Sequence, residues 1–469
     1  MINIVILAAG QGKRMKSSQP KVLHKLAGQP MLSRVIQTAQ QLTPKHLIVV
    51  LGHQAEQIQT TLPESAQIAY QNPPQGTGHA VAQALPLIDE SLPTLVLYGD
   101  VPLISFDCLK HLWLTCQQGQ ALAILTHHRN NPTGYGRIVR DAQQKIVQIV
   151  EEKDASDDIR TINEINTGFM CIPASHIKTW LNQLDNNNAQ NEFYLTDLVS
   201  MAVRDGVEVV SVIPKHHWEC EGVNTREQLA HLEREYQYHL AKELMINGVS
   251  LADPHRIDIR GELICEEDVE IDVNCVFEGH VSLAKGCVIE ANCVLKNVSI
   301  GTNTRIRAFS HLEGAQIDDH ASIGPYTRLR PDTHIGSHAH VGNFVEMKKT
   351  FFGAHSKASH LSYVGDAIVG KHVNIGAGTI TCNYDGVNKY QTVIGDGAFI
   401  GSDSQLVAPI KIGQGATIGA GTTLTKDAPD HLLTISRTKQ TTVEGWSRPE
   451  KKSENSDVSA PEPSESNPK

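Results

Sequence analysis

A bulky apolar residue returns every six positions from about Ile271 to Leu424, and no other feature restricts the fold so tightly. The series runs Ile271, Phe277, Leu283, Ile289, Leu295 and then, after a one-residue reset, Ile300, Ile306 and Leu312. It continues through Ile317, Ile323, Leu329, Ile335, Val341 and Met347, and closes on Ile394, Ile400, Leu406, Ile412, Ile418 and Leu424. The next residue is usually small or acidic, and a second small or β-branched residue follows four positions on, as at Ala321, Thr327, Thr333, Ala339 and Thr422. A helix returns every 3.6 residues and a strand every two, so neither accounts for this spacing. One short strand and one turn per hexad, stacked into a coil, does account for it, and hexapeptide repeats mark a parallel β-helix.

The repeats occupy only part of the chain. At 469 residues it exceeds one hydrophobic core and calls for two or three domains. Ahead of the repeats, the pattern predicts strands over 2–7, 46–51, 94–98, 121–126 and 207–213, with helices over 30–42, 77–88, 105–118 and 192–205. Such alternation implies a parallel, doubly wound, Rossmann-like α/β domain over 1–223. Asn224 or Thr225, followed three residues later by Glu227 or Gln228, opens a helix with an apolar stripe at Leu229, Leu232, Tyr236, Leu240 and Leu244, expected as a spacer over 224–247. The all-β repeat domain then spans 248–446. The tail, 447–469, is rich in Ser, Pro, Glu and Lys and is expected to be disordered.

Composition narrows the setting. No apolar run reaches the length of a membrane span, and the N-terminus carries no basic leader, so cytoplasmic localisation is expected, with no membrane partner. Nine cysteines without a CxxC pair read as reduced thiols. A formal charge of −10 argues against nucleic acid as a partner while leaving room for a local basic pocket.

In doubly wound sheets ligands bind beyond the carboxyl ends of the strands. The first strand runs into Leu7-Ala8-Ala9-Gly10-Gln11-Gly12-Lys13-Arg14-Met15, with Pro20-Lys21 shortly after. Glycines there let backbone N–H groups approach a polyphosphate, and Arg14 and Lys21 add charge, although many such turns are simply tight. Gln75-Gly76-Thr77-Gly78 opens a helix, and Tyr98-Gly99-Asp100 sets a carboxylate after a strand, either as a Mg²⁺ ligand or as a turn cap. Gly134-Tyr135-Gly136, Glu151, Asn166-Thr167-Gly168 and Gly222-Val223-Asn224 suggest a sugar-binding rim. Asp107, Asp154, Asp157 and Asp158 read as solvated surface.

These stretches, in this order, resemble the sugar-nucleotide pyrophosphorylases. They are most similar to the bifunctional bacterial N-acetylglucosamine-1-phosphate uridylyltransferase/glucosamine-1-phosphate N-acetyltransferases (GlmU type). The resemblance implies attack of a sugar-1-phosphate on the α-phosphate of UTP, releasing pyrophosphate, a reaction carried by positioning and charge neutralisation. It implies Mg²⁺ on Asp100 and Asn224, and Arg14 and Lys21 as the catalytic cations on the triphosphate. Leu7, Ala8, Ala9, Gly10, Gln71, Gly76, Thr77, Tyr98 and Gly99 would line the uridine and its phosphates. Gly136, Glu151 and Asn166 would bind the sugar.

In the repeats, the informative places are the interruptions. The ladder is kept loosely from Met347 to Val364, where Phe352 comes early and Ala358 is undersized, and it breaks between Thr381 and Ile394. Ten of the 23 histidines lie between His255 and His372, and most are expected to be surface residues. Acetyl transfer to an amine needs a base and an oxyanion donor. By resemblance, His360 is that base, with Glu346 able to orient it. Arg330, Lys348, Tyr363 and Asn374 would bind glucosamine-1-phosphate, and Asn383 and Tyr384 would line the same pocket. Ala377, Ser402, Ala420 and Arg437, with Asn383 and Tyr384, would contact acetyl-CoA, while Ser362 is free to vary. The resemblance also implies a left-handed coil and a homotrimer. The product, UDP-N-acetylglucosamine, would feed cell-envelope synthesis. A single-activity nucleotidylyltransferase with a purely oligomerising β-helix, and a non-enzymatic scaffold, are the competing readings.

Overall fold

The computed structural model describes residues 1–449, so the tail expectation from residue 450 onward lies outside the described residues. The first domain is built on a sheet whose strands are β1 (Asn3–Ala8), β2 (His46–Leu51), β3 (Ala66–Tyr70), β4 (Thr94–Tyr98), β5 (Leu122–His128), β6 (Arg137–Arg140), β7 (Ile146–Val150), β8 (Glu164–Ile172) and β9 (Val209–Val212). The main path runs β9-β5-β8-β4-β1-β2-β3, with β6 and β7 as a lateral hairpin. Helices α1 (Met31–Gln40), α2 (Thr77–Ala84), α3 (Phe106–Gly119) and α4 (Asp197–Arg204) cover its faces. Along β1, Ile4 and Ile6 enter one core and Val5 and Leu7 the other, so both faces are buried, as a doubly wound sheet requires.

The sheet is mixed rather than wholly parallel: β8 runs antiparallel between β4 and β5. Its sequence hides it, because the register shifts between Asn166 and Met170, and the polar Asn166-Thr167-Gly168 sits inside the strand. Strands β3, β6 and β7 also lay outside the sequence expectation. Helix α4 begins at Asp197, later than expected, because Phe193 is held in a loop by backbone bonds with Gln75 and Gly78.

The second domain is a parallel β-helix of two long sheets, one of 11 strands and one of 14. The hexad residues form its core; Ile323, Ile335, Val341, Met347, Ile400 and Ile418 are fully enclosed. One column runs Ile300, Ile317, Ile335, Phe352, Val369, Ile394 and Ile412, neighbouring strands in register throughout. Phe352 and Ala358 are both fully buried in their columns, so the stretch from Met347 to Val364 is no interruption. The coil turns its corners through residues at positive φ, such as His338, His355 and His372. The second interruption is a loop, leaving the coil after Cys382 and rejoining at Thr392, closed by Tyr390 N–H donating to the Asn383 carbonyl.

Helix α5 (Arg226–Ile246) joins the two. Thr225 and Gln228 close a capping box at its start. It is more than a spacer: Leu232 packs with Leu26, Met31 and Val223 of the first domain, and Ala241 lies in the β-helix core. The Gln237 side chain bonds both the N–H and the carbonyl of Ile259. All nine cysteines are free, seven of them buried. No helix of the described residues is long and apolar enough to cross a membrane.

Candidate active sites

Beyond the carboxyl ends of β1 and β4 lies a cavity of about 320 Å³ lined by Leu7, Ala8, Ala9, Gly10, Lys21, Gln71, Gly76, Thr77, Tyr98 and Asp100, together with Gln11, Pro74 and Glu192. Gly12 adopts φ 61°, and a Cβ there would stand 2.7 Å from the Lys21 Cβ, so only glycine lets the lysine pass beneath the loop. The Lys21 ammonium pairs with the Asp100 carboxylate and donates to Asn224 Oδ1 at 3.0 Å. Val223 N–H bonds to the Asp100 carbonyl, which brings Asn224 to the site across the whole domain. Arg14 stands exposed on the following turn and does not line the cavity.

Asp100 and Asn224 thus aim two oxygen atoms at one cationic point, the donor type a Mg²⁺ ion prefers. Among the described residues no group of three His, Cys, Asp or Glu side chains could hold a metal.

The sugar-rim residues converge behind Tyr98. Asn166 N–H donates to the Gly136 carbonyl at 2.8 Å, and a Cβ on Gly136 would lie 3.5 Å from the Glu151 carboxyl. Burial raises the Glu151 pKa, opposed by the hydroxyl of Thr196 donating to Oε1 at 3.0 Å. Gly168, at φ 95°, leaves the space that the Tyr98 ring fills. Asp107, Asp154, Asp157 and Asp158 are exposed.

On the β-helix, Glu346 and Tyr363 are neighbours in register in the 14-stranded sheet, with Arg330 and Lys348 beside them. Arg330 donates to Glu346 Oε1 at 2.9 Å. Glu346, expected to orient His360, is therefore engaged elsewhere, and the His360 Nδ1 lies 2.8 Å from Asn343 Oδ1. Lys389, which the sequence reading passed over, reaches in from the loop to Lys348. Their proximity, with Arg330 adding to it, lowers the Lys348 pKa, while Asp366 acts the other way. Three cations gathered in this way suit an anion such as a phosphate. Asn383 is buried and donates to Asp366, whereas Tyr384 is exposed. Ser362 is not free to vary: it is buried, and its hydroxyl bonds the carbonyls of His360 and Gly376.

Asn374 lies in the other sheet, between Lys357 and Phe399. Among the described residues, no hydrogen bond or ion pair joins it to Arg330, Lys348 or Tyr363. The residues expected to contact acetyl-CoA follow one corner of the coil: Asp403 N–H bonds the Ala377 carbonyl and Gly421 N–H that of Ser402. A Cβ on Gly419, next to Ala420, would stand 3.0 Å from an Arg437 guanidinium nitrogen. From His360 to Arg437 that corner climbs four coils, about 19 Å at the usual strand spacing. An extended pantetheine arm is of that order of length.

Comparison with known proteins agrees with this division. The MobA-like NTP transferase domain family matches residues 4–164, and the bacterial transferase hexapeptide (six repeats) family matches residues 391–426. The Bifunctional protein GlmU of Herminiimonas arsenicoxydans is 56% identical over 96% of this chain and 99% of its own length. Those of Janthinobacterium sp. (strain Marseille) and Cupriavidus pinatubonensis are 57% and 56% identical at the same coverage. A solved UDP-glucose pyrophosphorylase complexed with UDP-glucose overlaps 50% of this chain and 98% of its own at 18% identity and a TM-score of 0.43, too loose a likeness to carry argument. Similar over nearly its whole length to relatives that join the same two parts, the chain belongs to the GlmU family of bifunctional proteins.

Proposed function

We propose that the chain acetylates glucosamine-1-phosphate with acetyl-CoA on its β-helix and then transfers UMP from UTP to the resulting N-acetylglucosamine-1-phosphate in its α/β domain, giving UDP-N-acetylglucosamine and pyrophosphate. The observation that carries this reading is the presence of two separate polar sites of different chemistry. One gathers Lys21, Asp100 and Asn224 about a single cationic point, and the other gathers Arg330, Lys348 and Lys389 on one face of the coil. A purely oligomerising β-helix would have no need of the second.

In the uridylyl site, a sugar-phosphate oxygen forms a bond to the α-phosphorus of UTP as the bond to the bridging oxygen breaks. Mg²⁺, held by Asp100 and Asn224, would supply charge neutralisation. Lys21 moves its ammonium onto phosphate oxygens, and Gly136, Glu151 and Asn166 hold the sugar. In the acetyl site, the amine of glucosamine-1-phosphate bonds to the thioester carbon and gives a proton to His360 as the carbon–sulfur bond breaks and CoA leaves. Arg330, Lys348 and Lys389 hold the sugar phosphate.

Each chain divides the acetyl-site residues between two faces, with Asn374 on one and Arg330, Lys348 and Tyr363 on the other. That division supports sites shared between copies in a homotrimer. So does an exposed apolar column at the corner leading to His360: Phe309 50%, Tyr326 49%, Phe344 55% and Leu361 61% exposed. Cytoplasmic action and supply of the envelope's sugar nucleotide follow from the same reading.

The test is one assay with acetyl-CoA, glucosamine-1-phosphate and UTP in Mg²⁺, following CoA and pyrophosphate together. Release of both, with pyrophosphate lagging CoA, is expected. Absence of CoA release at high enzyme concentration overturns the acetyl half, and absence of pyrophosphate when N-acetylglucosamine-1-phosphate is supplied directly overturns the uridylyl half.

A further inference from the structure

We propose that Asn343 is the positioning residue of the acetyl-transfer site, holding His360 in the tautomer whose Nε2 is free to accept the substrate proton. This rests on the reading of His360 as the base. The strands His340–Asn343 and Lys357–His360 pair in parallel with Asn343 directly opposite His360, one coil apart. Immediately after each, the chain turns the corner through a residue at positive φ, Phe344 at 57° and Leu361 at 45°. The two side chains therefore leave equivalent points on successive coils, and Asn343 Oδ1 meets His360 Nδ1 at 2.8 Å.

A carboxamide oxygen accepts, so the ring nitrogen facing it carries the hydrogen, which leaves the Nε2 lone pair directed away from the coil. The backbone beneath is pinned as well, by the Ser362 hydroxyl on the His360 carbonyl at 2.9 Å. Tautomer and ring direction are thus set by a neutral amide, while Glu346, the carboxylate expected to orient the ring, is committed to Arg330. A carboxylate in the place of Asn343 would stabilise the imidazolium more strongly and hold the base protonated to higher pH. The titratable group whose field reaches His360 is His340 on the Asn343 strand, and burial, with Arg307 and Lys357 adding to it, lowers the pKa of His340 itself.

The experiment uses the full-length enzyme with His360→Ala, Asn343→Ala and Asn343→Asp, reading kcat and KM for CoA release, its pH profile, UTP-dependent pyrophosphate release and the melting curve. Asn343→Ala should lower the acetyl-transfer kcat about 10- to 100-fold, the usual cost of losing an orienting partner. KM values, pyrophosphate release and melting should stay near the parent's. Asn343→Asp should recover most of kcat and move the acid limb of the profile to higher pH. If Asn343→Ala keeps its kcat while His360→Ala loses it, the positioning role is wrong and the base assignment stands. A fall confined to KM or to the melting temperature, or an Asn343→Asp profile that does not move, likewise overturns the positioning role. If His360→Ala retains acetyl transfer, the reading of the site fails and this proposal fails with it.

Discussion

Lys21 occupies the point between Asp100 and Asn224 where the proposed mechanism needs a divalent ion, so in the nucleotide-free protein an ammonium and a metal compete for the same two oxygens. The account predicts that Lys21→Ala binds Mn²⁺ more tightly than the parent when no nucleotide is present, measured by electron paramagnetic resonance titration. The same change should lower uridylyl turnover about a hundredfold, the scale of losing one donor to developing charge. Lys13→Ala, on the same loop and exposed, should do neither. Unchanged Mn²⁺ affinity in Lys21→Ala, or an equal gain in Lys13→Ala, would contradict the exchange. The motif around Lys21 was plain in the sequence because a glycine-rich turn after a strand is a local pattern. Asn343 was not, because what it touches is fixed by the register between coils, and Lys389 was not, because the path of the loop that carries it is not written in the hexads.

Among the elements, the hexad ladder was the most legible, since every sixth residue must fill the interior of the coil whatever surrounds it. Strand β8 was the least legible, because its bulge places Asn166 and Gly168 where alternation should continue. The start of α4 was misread because the backbone bonds that hold Phe193 to the 75–78 turn lie more than a hundred residues away in sequence. The coil also carries a feature that the histidine count did not foreshadow. His320, His338, His355 and His372 stack along one corner with ring centroids 4.8 Å apart and planes within 6° of parallel. Slight burial lowers the His355 pKa, and the facing imidazoles of His338 and His372 lower it further. A histidine that takes up its proton less readily folded than unfolded adds stability above its ordinary value of 6.5, and that stability is lost as pH falls through the window below it. The melting temperature should therefore fall between pH 7 and 5.5, and His355→Asn should make that fall shallower. Asparagine tolerates the corner backbone, as Asn303 does at φ 55°. Equal slopes in parent and variant would show that the stack is indifferent to protonation.

At the scale of the molecule, the connector ties the two sites into one body. Leu232 packs into the first domain, Ala241 into the second, and the backbone N–H of Ala27 donates to Glu233 beside the contact of Gly28 with Arg260. Burial in two different cores was not readable from one apolar stripe, because such a stripe does not say how many partners share it. Assembly belongs to this scale too. Phe344→Glu, which places a charge in the exposed aromatic column, should convert the proposed trimer to monomer by light scattering. If acetyl transfer draws on two faces, as proposed, the change should abolish it and spare pyrophosphate release. A trimer that persists with full activity would remove that column from the interface.

The central claim is that one chain holds two independent active sites, and paired single substitutions in the dual CoA and pyrophosphate assay test it most directly. His360→Ala should stop CoA release from acetyl-CoA and glucosamine-1-phosphate while leaving pyrophosphate release from UTP and N-acetylglucosamine-1-phosphate at the parent's rate. Lys21→Ala should lower pyrophosphate release about a hundredfold and leave CoA release at the parent's rate. Loss of both activities from either change, or of neither, would contradict the account.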